Sequence, residues 1–298
     1  MPCITVWLIQ HEMIPVYIRD GLYINGNIII FMNKLSKKEI GELGIYEFQA
    51  YIGAMTSPTF GGWKGTDRLI ELLKINEMEK PKILEVGCST GYITRYIAKK
   101  FNCEIIGIDV GKLVLEIARE EAQKLNLTNI NFQTGNVENL PFPNESFDIV
   151  FGEAITALVS NPIKVVEEYK RVLKPYGKIA TLDLFMKESL SKELIEEINK
   201  IMSIVIGAQI RIRTFQEWVQ IFTESGFKDI KIDKYHDDIF KRTYSFVELV
   251  KITFKMLYHM VVNKEVRKKV SPTLKFARIF QKKIKEGQFG YYIFMGIK

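Results

Sequence analysis

The sequence contains few cysteines and histidines, three of each among 298 residues. The cysteines form no Cys-x-x-Cys pair and allow no disulfide framework of the kind that small secreted proteins use. The histidines are too widely spaced to predict a zinc site. We therefore expect a reduced, cytoplasmic setting and no bound metal.

Long uncharged apolar segments are also missing. No run of about 18 apolar residues without a charge occurs, so the sequence predicts no membrane-spanning helix. Residues 2–19 are apolar but carry neither a basic start nor a small-residue cleavage site, which argues against a secretion signal. Residues 25–32 predict one short strand, and regular patterning begins only at Met32. Our hypothesis is that residues 1–31 are an over-extended reading frame or a disordered arm, which a native N-terminus at Met1 or Pro2 would contradict.

Positive charge is in modest excess. The chain has 42 lysines and arginines against 35 acidic residues, a net charge of +7. This excess permits attraction to nucleic acid, anionic lipid or acidic substrates. It is also typical of a lysine-rich chain from a heat-adapted or AT-rich source, so it does not select a partner.

Strand-like and helix-like segments alternate from residue 82 onward. The predicted strands are residues 82–86, 104–109, 129–134, 147–152, 178–184, 227–233 and 290–297. The helices predicted between them are residues 91–101, 112–125, 162–173, 188–207, 214–226 and 245–263, with 38–53 and 64–75 before the first strand. Strands that alternate with helices indicate parallel βαβ units, and therefore a doubly wound sheet. We divide the chain into cap helices at 32–80, a core at 81–184 and a C-terminal part at 185–298 with inserted cap helices.

A glycine-rich turn follows the first core strand. Glu85 lies near the strand end, and Gly87 and Gly91 bracket the turn before a helix begins. Glycines let the backbone approach a ligand closely, and a helix start offers free N–H groups. An acidic residue before the turn suits an ammonium group, whereas Asp109 at the next strand end suits the ribose of either a sulfonium cofactor or a dinucleotide. The turn by itself leaves both ligands open.

Two further segments resolve the ambiguity by resemblance. Residues 135–148 read Gly-Asn-Val-Glu-Asn-Leu-Pro-Phe-Pro-Asn-Glu-Ser-Phe-Asp, and residues 171–178 read Arg-Val-Leu-Lys-Pro-Tyr-Gly-Lys. With the acidic residue, the glycine turn and Asp109, the chain resembles class I methyltransferases of the ubiquinone/menaquinone, sterol and phosphoethanolamine type. The resemblance implies S-adenosyl-L-methionine as cofactor. It also implies a Rossmann-like α/β fold: a doubly wound seven-stranded sheet, parallel with one antiparallel strand, and a helical cap.

The resemblance also implies where the cofactor binds. Glu85 would hold the methionine amino group, Asp109 the ribose hydroxyls, and Asn136 with Val137 the adenine edge. The full set of implied cofactor-binding residues is Glu85, Gly87, Cys88, Ser89, Gly91, Asp109, Val110, Asn136, Val137 and Glu153. Ser89 stands where the family has its middle glycine, and Asn136 where it has an aspartate; we expect binding to survive both differences.

The catalytic residue is harder to predict, because methyl transfer from a sulfonium requires alignment more than chemical activation. Strand ends suggest Glu153 and His236, and the helix before the first strand suggests Tyr51. Each has a plainer interpretation. Glu153 would only contact the cofactor or cap an element, His236 would lie on the surface, and Tyr51 would be ordinary helix packing.

The acceptor is predicted from what surrounds the core. The segment after the fourth strand lacks the Pro-Pro-aromatic run of amino-methylating nucleic-acid enzymes, so we expect no DNA substrate. Residues 245–263 are densely apolar, and residues 265–286 are strongly basic. These features favour a small quinone- or lipid-like acceptor, with peripheral membrane contact allowed. The alternatives are an RNA methyltransferase, which salt-sensitive RNA binding would support, and a cofactor-binding interaction protein without turnover.

Overall fold

The computed structural model describes residues 22–24, 27–29, 35–55, 62–159, 161–187, 190–206, 211–235 and 246–298. The chain divides into two compact units, residues 1–42 and 43–298. In the first, strand β1 (Leu22–Ile24) pairs antiparallel with β2 (Asn27–Ile29), and helix α1 spans Lys37–Glu42. Residues 25–32 were expected to form one strand; β2 accounts for part of it. The hypothesis on residues 1–31 stays a prediction.

The second unit is built on a seven-stranded sheet. Its strands are β3 (Lys82–Val86), β4 (Glu104–Asp109), β5 (Ile130–Thr134), β6 (Phe147–Glu153), β7 (Leu173–Met186), β8 (Lys228–Tyr235) and β9 (Phe289–Ile297). Their order is β5-β4-β3-β6-β7-β9-β8. All pairings from β5 to β7 are parallel, whereas β9 runs antiparallel to both β7 and β8. The predicted fold class, with one antiparallel strand, is confirmed.

Helices cover both faces of this sheet. The described helices of this unit are α2 (Ile45–Tyr51), α3 (Gly62–Leu73), α4 (Tyr92–Lys100), α5 (Lys112–Lys124), α6 (Pro162–Val172), α7 (Lys192–Ile206), α8 (Phe215–Glu224), α9 (Phe246–Val262) and α10 (Lys264–Lys285). The core on one face includes residues of α3, α4 and α7, and the core on the other includes residues of α6 and α8. Burial on both faces explains why the middle of β4, Ile105–Ile108, is continuously apolar.

Local sequence signals explain where several helices begin. Pro162 occupies the first turn of α6, where its missing N–H costs nothing, and the Asn161 side chain accepts from the Lys164 N–H at 3.2 Å. Helix α8 begins with a reciprocal capping box between Thr214 and Glu217. Such a box gives hydrogen-bond partners to two otherwise free N–H groups, so it defines the residue at which α8 begins.

Two predicted elements differ in extent. The helix expected over residues 38–53 is two helices, because Gly44 has extended backbone (ψ 164°) and ends the helical path between them. The strand expected at residues 178–184 begins at Leu173, because Leu173 already pairs with Phe147. Within the described residues, no helix is both long enough and apolar enough to cross a membrane.

Candidate functional site

The turn after β3 requires glycine at two positions. Gly87 (φ 67°) and Gly91 (φ 69°) have left-handed backbone. A Cβ on Gly91 would lie 2.4 Å from the Phe132 ring, and one on Gly87 would lie 2.9 Å from Ile155. Ser89 adopts φ 51° without a glycine. The turn is therefore a tight backbone arch between the end of β3 and the start of α4.

Glu85 is buried in β3 directly before this turn. Its carboxyl group accepts a hydrogen bond from the Thr94 hydroxyl in the first turns of α4. Burial raises the pKa of Glu85 to about 8, although the bond from Thr94 and the nearby Arg95 guanidinium oppose the shift. A cation that entered the site would favour the ionised carboxylate.

Asp109 ends β4 and joins three separate segments. Its Oδ2 accepts from the Ser89 N–H at 3.0 Å and from the Tyr46 hydroxyl at 3.1 Å, and its Oδ1 accepts from the Gly111 N–H at 2.8 Å. Burial raises the pKa of Asp109, and these hydrogen bonds oppose the shift. The next residue, Val110, is 69% exposed. A buried carboxylate beside an open apolar side chain can bind a sugar hydroxyl and the flat face of a base.

Glu153 ends β6 and faces the same side of the sheet as Glu85. The registers show this, because Glu85 pairs with Phe151, two residues before Glu153. Glu153 is buried, and neither of its carboxyl oxygens has a hydrogen-bond partner within the described part of the chain. Burial raises its pKa to about 8, helped by nearby Glu85 and opposed by the neighbouring Thr66 hydroxyl, which donates its hydrogen bond to the Gly62 carbonyl at 3.3 Å and not to Glu153. A buried carboxyl without partners is costly, which points to a ligand.

The segment after β5 is fixed by an arginine of α6. The Arg171 guanidinium donates to the Leu140 carbonyl at 3.0 Å and to the Phe142 carbonyl at 2.8 Å. Val137 is buried in the core, whereas Asn136 is exposed and its Oδ1 already accepts from the Glu138 N–H at 2.9 Å. The role expected for the Asn136 carbonyl oxygen would compete with this local bond.

The three candidate catalytic residues are separated. Glu153 lies with Glu85 at the centre of the sheet. Tyr51 packs against His259 of α9, with ring centroids 5.6 Å apart. It is Tyr46, five residues earlier, that contacts Asp109. His236 lies outside the described residues. Within those residues, no cluster of three acidic, histidine or cysteine side chains could hold a metal ion.

Sequence reasoning missed two contributors to the site. Thr94 bonds Glu85, and Thr66 of α3 lies close enough to influence the pKa of Glu153. Thr94 had a usable signal, because it is in the first turns of the helix that the glycine turn starts. Thr66 had no such signal, because the sequence does not reveal how α3 packs against the strands that follow it.

Comparison with known proteins identifies the family. Residues 78–230, more than half of the chain, match the family described as "Methyltransferase domain". An uncharacterised protein of Haemophilus influenzae strain Rd is 33% identical over 199 residues, which are 66% of this chain and 75% of that protein. A demethylmenaquinone methyltransferase of Geobacillus sp. strain WCH70 is 23% identical over 180 residues, covering 54% of this chain and 77% of that protein.

A solved structure agrees in fold. Phosphoethanolamine N-methyltransferase 2 of Haemonchus contortus, determined in complex with S-adenosyl-L-methionine, superposes with a TM-score of 0.63 at 19% identity, covering 90% of this chain and 59% of that one. The glycine arch and the buried carboxyl groups at the strand ends fit a cationic nucleoside cofactor. The chain belongs to the methyltransferase domain family and is an S-adenosylmethionine-dependent methyltransferase.

Proposed function

We propose that this enzyme methylates a small hydrophobic acceptor, quinone- or lipid-like, at the carboxyl-terminal edge of its sheet. The observation that carries the placement is Glu153, a buried carboxyl group whose two oxygens lack partners within the described residues. It ends the strand between β3, which carries Glu85, and β7. The acceptor would therefore meet the cofactor beside Glu153.

The cofactor would lie across the ends of β3, β4 and β5. We propose that Glu85 binds the methionine ammonium group and that Asp109 binds the ribose hydroxyls. The arch from Gly87 through Cys88 and Ser89 to Gly91 would follow the methionine and ribose portions. Val110 would pack on the adenine, and Asn136 with the backbone of Val137 would bind its edge. Bound there, S-adenosylmethionine supplies a methyl group already activated by its sulfonium centre.

We propose that Glu153 holds the acceptor and removes its proton. A carboxyl group whose pKa is about 8 exchanges protons readily near neutral pH, which suits a general base. Its burial excludes water, and the α3 side chain of Thr66 lies beside it. Tyr51 and His236 are further proposed catalytic residues. Tyr51 packs against His259 of α9, and His236 lies outside the described residues.

The acceptor class is supported by two lines of argument. One sequence relative is a demethylmenaquinone methyltransferase by name, and a structural neighbour is a phosphoethanolamine N-methyltransferase. Helix α9 is apolar along much of its length and packs its His259 side against Phe48 and Tyr51 of α2, the helix that carries Tyr46 to Asp109. Half-buried Ile252 and Met256 share the His259 side of α9, so the side that faces α2 also carries apolar side chains, which suits an apolar acceptor.

The test measures cofactor affinity and methyl transfer separately. Calorimetry gives the Kd for S-adenosylmethionine, and transfer of labelled methyl is measured on demethylmenaquinone, phosphoethanolamine and RNA. Glu153→Gln should lower kcat about 100-fold or more while changing the cofactor Kd less than threefold. Exposed Glu79→Gln is the matched control and should change neither.

Three results would count against the proposal. Transfer only to RNA would make the chain an RNA methyltransferase. Tight cofactor binding with no transfer to any acceptor would make it a non-catalytic binding protein. Weaker cofactor binding in Glu153→Gln with unchanged kcat would make Glu153 a cofactor ligand and not the base.

A further inference from the structure

Helix α9 presents an apolar stripe to solvent. Val250, Phe254, Leu257 and Val261 follow one another at spacings of four, three and four residues, so they share one side of the helix. Each is between 40% and 74% exposed. A helix on the surface of a water-soluble domain normally carries polar residues on that side. A continuous exposed apolar stripe indicates a surface that another phase or molecule covers.

The opposite side of α9 shows that this orientation is fixed. His259, about half a helical turn around from the stripe, is buried and contacts the rings of Phe48 and Tyr51. Burial lowers the pKa of His259, in keeping with packing as a neutral ring. The stripe faces outward because the other side of α9 is occupied by α2.

Positive charge concentrates at the same place. Helices α9 and α10 contain eleven lysines and arginines against two glutamates, a net charge of +9, which exceeds the +7 of the whole chain. At the end of the stripe, the Arg267 guanidinium donates to the Met260 carbonyl at 2.8 Å and to the Val261 carbonyl at 3.1 Å. Exposed Lys264 and Lys268 lie on the same first turns of α10. The apolar stripe therefore has a cationic rim.

We propose that this stripe and rim dock the enzyme onto an anionic membrane surface. Aliphatic side chains entering the headgroup region, with lysines and arginines beside them, are the features of an interfacial amphipathic helix. Nucleic acid would bind the lysines and arginines but would not cover the aliphatic stripe. A second copy of the chain would bring two strongly positive surfaces together, which disfavours self-association. The inference does not depend on the identity of the acceptor.

The experiment is co-sedimentation of the full chain with phosphatidylcholine vesicles, with and without phosphatidylserine. Binding is expected to the anionic vesicles and to weaken with added salt. Leu257→Glu/Val261→Glu should lower the partition coefficient at least tenfold, whereas Leu125→Glu/Ile163→Glu, at two exposed apolar positions elsewhere, should leave it unchanged. Lys264→Gln/Lys268→Gln should lower it roughly tenfold or more. Lys228→Gln/Lys231→Gln, which removes the same charge from β8, should have little effect.

Several outcomes would overturn the proposal. These are no binding to anionic vesicles, equal losses in the test and control variants, or RNA binding without vesicle binding. Sedimentation analysis covers a further outcome. If the chain is a dimer that Leu257→Glu/Val261→Glu dissociates, and the chain does not bind vesicles, the stripe is a self-association surface. The vesicle assay contains neither cofactor nor acceptor, so a negative result would not contradict the proposed methyl transfer.

Discussion

Asp109 shows how one residue gathers a site from distant parts of the chain. Backbone N–H groups of Ser89 and Gly111 donate to it from two turns, and the Tyr46 hydroxyl donates to it from α2. Three donors on one buried carboxylate stabilise its charge, which partly offsets the cost of burial. The strand-end position of Asp109 was predictable from sequence. Its bond to Tyr46 was not, since helical periodicity does not say which tyrosine of a helix faces which strand.

Replacing Asp109 with asparagine tests whether it binds the ribose. Asp109→Asn keeps the shape but removes the charge, and hydrogen bonds to a charged group contribute about 1.5–3 kcal/mol. We expect the Kd for S-adenosylmethionine, measured by calorimetry, to rise between about 10- and 100-fold. The control is Asp233→Asn, a part-exposed residue of β8 that accepts from Arg68 at 2.9 Å. Equal affinity in the two variants would refute the ribose assignment.

Among the elements, α2 connects the candidate cofactor site to the apolar helix. Its Tyr46 contacts Asp109, while Phe48 and Tyr51 contact His259 of α9. The helix has only seven residues, too short to be stable alone in water, so these tertiary contacts hold it in place. Sequence periodicity predicted helix here but merged α1 with α2, because the break depends on the backbone of Gly44.

The bond from Tyr46 to Asp109 should therefore control how firmly α2 is held. We expect Tyr46→Phe to speed amide hydrogen exchange across residues 45–51 about tenfold, since one bond to a carboxyl group is lost. Tyr176→Phe, at an 84% exposed tyrosine of β7, removes a hydroxyl far from α2 and should change this exchange far less. If both variants exchanged alike, the Asp109 contact would not be what holds α2.

At the scale of the whole molecule, the core was more predictable than what surrounds it. The βαβ rhythm, the glycine turn and the strand-end carboxylates follow from local chemistry, so β3 to β6 lie where the sequence placed them. The positions of α2, α3 and α9 depend on long-range packing. Thr66 of α3, for example, lies close enough to Glu153 to influence the pKa of that carboxyl group. The sequence shows that α9 is rich in apolar residues. It does not show that one apolar stripe faces solvent, because that depends on the contacts between α9 and α2.

The buried carboxyl groups predict how the stability of the whole protein depends on pH. Burial raises the pKa of Glu85 and of Glu153 to about 8 from an ordinary value of 4.5, so in the folded protein without cofactor both are neutral where the unfolded chain ionises them. The folded state then holds more protons, and the free energy of unfolding must fall as pH rises toward 8. His259 has a lowered pKa and acts in the opposite direction only below about 6.5, which leaves pH 6.5–8 for the carboxyl groups.

Urea denaturation across that pH range measures the effect. We expect the free energy of unfolding to fall by about 1 kcal/mol or more per pH unit. Glu153→Gln should reduce the slope, and exposed Glu79→Gln should not. S-adenosylmethionine should bind more tightly as pH rises over the same range, because its ammonium group favours the ionised Glu85 carboxylate. If the free energy of unfolding without cofactor did not change with pH, Glu85 and Glu153 would already be ionised in the folded protein. Cofactor binding would then release no protons from these groups.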